Sequence, residues 1–208
     1  VGLQGKLVAE ISRDDIRELV ATHVAEDGFV DFKEVIFHRA HKKPDEEIGD
    51  LLADLVSFAN GFGGHIIVGI EDRNDRASQL RPIIQAEARR IATKFKSLAI
   101  QHIKPPIVPL EIVPFSMNDH ADEWVVIVGI PEGQAKPHMS SFRLQNRFDI
   151  RDGNRKRSMT RDEIQTAFLS GPQQSALANI YRELQSVRGL VEANTPRPRR
   201  SWKFWSRS

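Results

Sequence analysis

The chain is predicted to be an α+β fold, one mixed β-sheet with helices packed against it. Two stripes of apolar residues at helical spacing point to core-facing helices: Ile48, Leu51, Leu52, Leu55, Val56 and Ala59, then Ala88, Ile91, Ala92, Phe95 and Leu98. Short β-branched and aromatic runs, such as Phe29–Phe37 and His65–Ile70, read as strands between them. The resulting order, α-β-α-β-α-β-β-β-α-α, is met most economically by a single sheet with helices on it.

Taken in order, Ser12 caps a first helix running to about His23, with Asp14, Asp15 and Glu18 in its early turns. Phe29–Phe37 forms a strand whose alternation sets Asp31 and Lys33 on one face and Val30 and Phe32 on the other. A basic loop from His38 to Pro44 leads into a helix over Asp45–Asn60, closed by Asn60 and Gly61. His65–Ile70 is a buried strand, and Glu71–Ser78 is expected to be a charged loop. A helix over Gln85–Ile100 ends before Pro105 and Pro106. Strands follow at Ile107–Val113 and Glu123–Ile130. Ser141–Arg151 alternates, with Phe142, Leu144, Phe148 and Ile150 inward and Arg143, Gln145, Arg147, Asp149 and Arg151 outward. Thr160 and Glu163 form a capping box for a short helix to about Ser170. The expected organisation is one domain over 1–172, a C-terminal helix over 173–194, and a basic, aromatic, disordered tail over 195–208.

Composition narrows the class. With 208 residues, 40% of them hydrophobic and 28% charged, the chain can bury one good core. No apolar run reaches the ~20 residues that span a bilayer, so no membrane span is expected. The absence of cysteine excludes disulfides and thiolate metal sites. With no secretory-type leader visible either, the expectation is a cytoplasmic protein. The net charge is only +2, so its distribution matters more than its size.

Three constellations stand out. Glu26, Asp31, Lys33 and the Glu71/Asp72 pair could hold a divalent metal against a phosphate, or could be solvated charges at strand ends. The first reading carries a geometric demand, because Asp31 starts one strand and Asp72 follows the end of another. In a plain parallel β-α-β pair they would lie a strand length apart, ~17 Å. The basic set Arg143, Arg147, Arg151, Arg155, Lys156 and Arg157 can track a phosphate backbone, or can be a solvated face among Asp149, Asp152 and Asp162. The glycines Gly61, Gly63 and Gly64 follow a helix and precede a strand, at the negative end of the helix dipole. A C-cap and tight turn account for them better than a phosphate cradle does. His38 and His41 lack a third ligand nearby and read as a surface loop.

Together these residues resemble the Schlafen-type AlbA-like domain, also described as a DNA-binding or divergent ATPase domain. The resemblance rests on Glu26…Asp31-Phe32-Lys33, Ser57-Phe58-Ala59-Asn60-Gly61-Phe62-Gly63-Gly64, Gly69-Ile70-Glu71-Asp72, and the basic turn from Phe148 onward. It implies an α+β nucleic-acid-binding lobe acting on RNA or DNA. It also implies, as an alternative, an endoribonuclease of structured RNA such as transfer RNA. In that case Glu26, Asp31 and Asp72 hold Mg²⁺ or Mn²⁺ and Lys33 lies beside the phosphate. Asp31 stands where the family usually has Glu. A single lobe implies a homodimer to enclose RNA. ATP binding follows only from the family's alternative description, and the position of the glycines argues against it.

Overall fold

The computed structural model describes residues 3–37 and 44–170, all within the compact unit Val1–Gly171. The basic loop expected over 38–44, with His38 and His41, lies outside the described residues except for Pro44, and the helix expected at 173–194 and the tail at 195–208 lie wholly outside them.

The fold is α+β. Its elements in chain order are α1 (Arg13–Ala21), β1 (Val30–Lys33), α2 (Pro44–Asn60), β2 (Gly64–Val68), β3 (Ile70–Asp72), β4 (Ala77–Leu80), α3 (Gln85–His102), β5 (Ile103–Lys104), β6 (Glu111–Ser116), β7 (Trp124–Ile130), β8 (Met139–Phe142), β9 (Gln145–Arg147), β10 (Asp149–Asp152) and β11 (Arg155–Ser158). Residues 161–170 form the last helix of the described residues, α4. The main sheet is mixed, in the order β1-β2-β7-β6. β1 runs parallel to β2, while β7 pairs antiparallel with β2 and β6.

β2 and β7 read as nearly unbroken apolar runs because both of their faces are covered. Ile66, Val68, Val126, Val128 and Ile130 meet Leu52, Leu55, Val56, Ile91 and Phe95 of α2 and α3 in one core. On the opposite face, Ile67, Val125 and Ile127 meet Ile16 and Leu19 of α1 in a second core, joined by Val30 and Phe32 of β1. The capping of α1 follows its sequence. The Asp15 amide donates to Ser12 Oγ at 3.1 Å, and the Ser12 amide donates back to the Asp15 carboxylate at 2.8 Å.

Four expectations are corrected. Glu71–Ser78 is a hairpin, β3–β4, rather than a loop, turning through Asn74 and Asp75, both at positive φ. The strand expected at Ile107–Val113 begins later and carries Pro114 inside it. An edge strand tolerates this, since alternate amides point away from its neighbour. Ser141–Arg151 is not one strand: Arg143 and Leu144 both adopt positive φ and turn β8 back as β9. Leu144 is therefore fully exposed instead of inward. The alternation also changes phase at β10, where Asp149 and the Arg151 side chain are buried against α2 rather than facing out.

Asn60 fixes this last arrangement. Its side-chain amide donates to the carbonyls of His138 and Asp149, each at 2.9 Å, and its carbonyl accepts from the His138 amide at 2.7 Å. The end of α2 is thereby joined by two buried hydrogen bonds to His138, just before β8, and by one to Asp149 of β10. At Gly64 a Cβ would stand 2.5 Å from the Phe29 carbonyl and 2.6 Å from the Phe58 ring, so the turn between α2 and β2 needs a residue without one.

Candidate functional site

The parallel register of β1 and β2 sets Lys33 beside Val68, so the end of β2 lies far from the start of β1. It is Glu26, not Asp31, that is brought against Asp72, because the chain leaves the sheet at Gly69, whose φ is +110°. The β3–β4 hairpin then folds back along the segment before β1. The Ala77 amide donates to the Val24 carbonyl at 2.9 Å, the Glu26 amide donates to the Asp75 carbonyl at 2.8 Å, and Ala25 bridges Arg76.

This return builds an acidic notch. Carboxylate oxygens of Glu26, Asp72 and Asp75 all lie within 4.8 Å of one another. Glu26 is half-buried and its carboxylate accepts from the Phe32 amide at 2.8 Å. Burial, aided by repulsion from Asp31 and Asp72, pushes its pKa from 4.5 up to about 7, against the pull of that amide and of Lys33. Asp72 accepts from the Arg76 amide at 2.9 Å, and Asp75 from the Asn154 side chain at 3.1 Å. Three hard oxygen donors in this spacing suit Mg²⁺ or Mn²⁺ chemically, and a bound cation would relieve the repulsion on Glu26. Glu71 is separated from Asp72 by the alternation of β3 and pairs with Arg73 and Arg81 instead.

Behind the notch lies a node of interlocked charges. Asp31 and Lys33 share one face of β1, as the alternation predicts, and Lys33 Nζ stands 2.6 Å from Asp31 Oδ2, off the ideal hydrogen-bonding direction. Asp54 of α2 is buried and meets both Lys33, at 3.4 Å, and Lys156 of β11, at 2.9 Å. Burial works against the charge on Lys33, but Asp54, Asp31 and Glu26 outweigh it and hold the ammonium above the usual lysine range. Arg151 reaches Asp31 Oδ1 at 3.4 Å and lies over the Phe58 ring at 4.3 Å. Asp31 itself is buried within this node, and its nearest charges are cations.

A family model described as Schlafen, AlbA_2 matches residues 26–160, well over half of the 208. The chain belongs to the Schlafen AlbA_2 family. At the level of that family it is a nucleic-acid-binding type of domain. The match opens at Glu26 and takes in Asp31, Lys33, Asp54, Asp72 and the β10–β11 hairpin. Among solved structures, the chain is similar to the DIP2311 protein from Corynebacterium diphtheriae at 20% identity and a TM-score of 0.45. That likeness covers 71% of this chain and 30% of the other, so the chain spans less than a third of that protein's length. No curated protein matches.

In this Schlafen AlbA_2 domain the six basic residues of the expected phosphate stripe do not share one open face. Arg143, in the β8–β9 turn, pairs with Asp45 in the first turn of α2 at 2.8 Å. Arg147 grips the buried Asp149 with both Nε, at 3.1 Å, and a terminal nitrogen, at 3.2 Å. Arg151 has only 4% of its side chain exposed. Lys156 is held by Asp50 and Asp54, and Arg157 by Asp152 and Glu163. Arg155, at the tip of the β10–β11 hairpin, is exposed and carries no ion pair among the described residues.

Sequence reading missed Asp54, Asp75 and Asn60 as site builders. Asp54 interrupts the apolar stripe of α2 and Asp75 sits in a turn, so neither carries a spacing signal. Asn60 had one, its fixed place before the glycines, but that place reads as a helix end.

Proposed function

We propose that this domain binds nucleic acid and cleaves its phosphodiester backbone at the notch formed by Glu26, Asp72 and Asp75. One observation carries the reading: the β3–β4 hairpin folds back so that the three carboxylates converge beside the Asp31–Lys33 pair. Glu26, Asp72 and Asp75 are the residues that would hold Mg²⁺ or Mn²⁺. A bound cation would supply Lewis acidity at the phosphate and lower the pKa of an attacking water.

The remaining chemistry belongs to the chain. Lys33 keeps 30% of its side chain exposed and stays charged at neutral pH, so its ammonium can meet a phosphate oxygen and stabilise charge developing there. Asp31 orients Lys33 and repels Glu26, which keeps the notch electron-rich. In this reading Asp31 acts through Lys33, and Asp75 takes the third ligand place that the family resemblance gives to Asp31. Arg155 is the cation of the basic stripe best placed to contact a neighbouring phosphate, since it has no acid to leave.

The test is cleavage of labelled transfer RNA, a hairpin RNA and single-stranded DNA with Mn²⁺, against EDTA and an Asp72→Asn control. Metal-dependent products absent from both controls support cleavage at the notch. Intact nucleic acid, retained by well-folded protein, would leave a binding domain with a vestigial notch. Asp75→Asn against Asp31→Asn then separates the two ligand sets: the former should remove Mn²⁺ affinity and the latter should keep it.

A further inference from the structure

Asp54 carries a charge into the middle of α2, between Ala53 and Leu55, which are wholly buried. A carboxylate there requires a cation. Two lysines on different strands reach it. Lys33 Nζ of β1 lies 3.4 Å from Oδ2, and Lys156 Nζ of β11 lies 2.9 Å from Oδ1. Lys156 also donates to the Asp50 carbonyl at 3.1 Å, one helical turn earlier, which holds β11 against α2. Lys33 is thus suspended between Asp54 on the helix side and Asp31 on the side of the notch.

Building on the cleavage reading above, we propose that Asp54 is a positioning residue for Lys33, and that Lys156 competes for the same carboxylate and so sets how firmly Lys33 is held. With both lysines present, the single charge of Asp54 is divided between them. Lys33 is then restrained yet remains free to meet a phosphate. Without Lys156, Asp54 answers Lys33 alone and draws it toward α2. Without the charge on Asp54, Lys33 is tied only to Asp31 and swings on a flexible stem. Either change misplaces the ammonium, in opposite senses.

The opposite senses make the proposal testable. Wild type, Asp54→Asn and Lys156→Met are compared in two assays: RNA cleavage with Mn²⁺ at saturating RNA, and acetylation of Lys33 by an N-hydroxysuccinimide ester at one pH, read by mass spectrometry. Asp54→Asn should lower turnover by about tenfold, with RNA affinity within about twofold of wild type. Its Lys33 should acetylate about threefold or more faster than in wild type, whereas in Lys156→Met it should acetylate more slowly. Lys156→Met alters a half-exposed strand position, so the acetylation result survives even if Asp54→Asn folds poorly. Faster acetylation in both variants would mean general loosening and would overturn the proposal, as would equal rates in all three. If wild type cuts no RNA, the cleavage reading falls, while the acetylation order still decides whether Lys156 and Asp54 govern Lys33.

Discussion

The basic hairpin and the acidic notch belong to one domain, yet they treat charge in opposite ways. In β8–β11, Arg143, Arg147, Arg151, Lys156 and Arg157 each meet an acid of the same chain. At the notch, Glu26, Asp72 and Asp75 crowd together, and none of them forms an ion pair among the described residues. A paired charge contributes to structure, and taking one partner away leaves the other stranded. An uncompensated cluster raises the energy of the free protein and is relieved only by a proton or a cation. The richest run of cations in the sequence is therefore largely tied into the fold, and our proposal accordingly places the chemistry at the unbalanced acids.

Mutants should break or sharpen this contrast, and the largest effect is expected at the notch. Asp72→Asn should lower metal-dependent cleavage by at least ~100-fold, with nucleic-acid affinity unchanged or raised, as read by gel cleavage and fluorescence anisotropy. Next comes Arg151→Ala, which should destabilise the fold by about 2 kcal/mol in denaturant titrations, because it leaves the buried Asp31 to Lys33 alone and removes the guanidinium from the Phe58 ring. If it instead left stability intact and flattened the salt dependence of binding, Arg151 would be a phosphate contact after all.

A third expectation uses pH. Folded Glu26 binds its proton more tightly than the unfolded chain does, since its pKa rises from 4.5 to about 7. Its contribution to stability is complete below about pH 4.5 and is lost as pH rises through about 7. Glu26→Gln should therefore melt higher than wild type at pH 8, by ~2–5 °C, with the gap closing at pH 4.5 and narrowing when Mn²⁺ is added to wild type. The buried His65 and His138 act with the opposite sign. Burial lowers both pKa values from 6.5, so stability is lost as pH falls below about 6.5. Comparing His138→Gln with wild type over that range isolates the histidine part. The smallest change is expected for Arg155→Ala, which should leave stability untouched and reduce the salt slope of binding by about one.

Much of the frame was legible in the sequence, since periodicity reports burial directly. The stripes of α2 and α3 and the apolar runs of β2 and β7 fall where the residues place them. Harder to read were places where backbone direction changes without glycine or proline. Asn74 and Asp75, of the non-glycine types that reach positive φ most readily, turn β3 into β4, and Arg143 and Leu144, of types that seldom do, turn β8 into β9. The first of these turns delivers Asp75 to the notch. The second shifts the alternation that made Arg151 look solvent-facing. The Asp31–Lys33 pair was visible from strand alternation alone, but Asp54 was not. Its role depends on β11 crossing α2, a long-range contact that no local pattern encodes.

The backward fold of the β3–β4 hairpin also bears on the order in which the molecule assembles. Glu26 can face Asp72 only once β1 has paired with β2, a closure that spans the whole of α2, and the hairpin has then docked on residues 24–26. Such contacts form late, after the local helices, because a long loop must be ordered first. A nascent or partly folded chain would therefore have its helices before it has the notch. The cleavage proposed for the notch would thus require the completed tertiary structure.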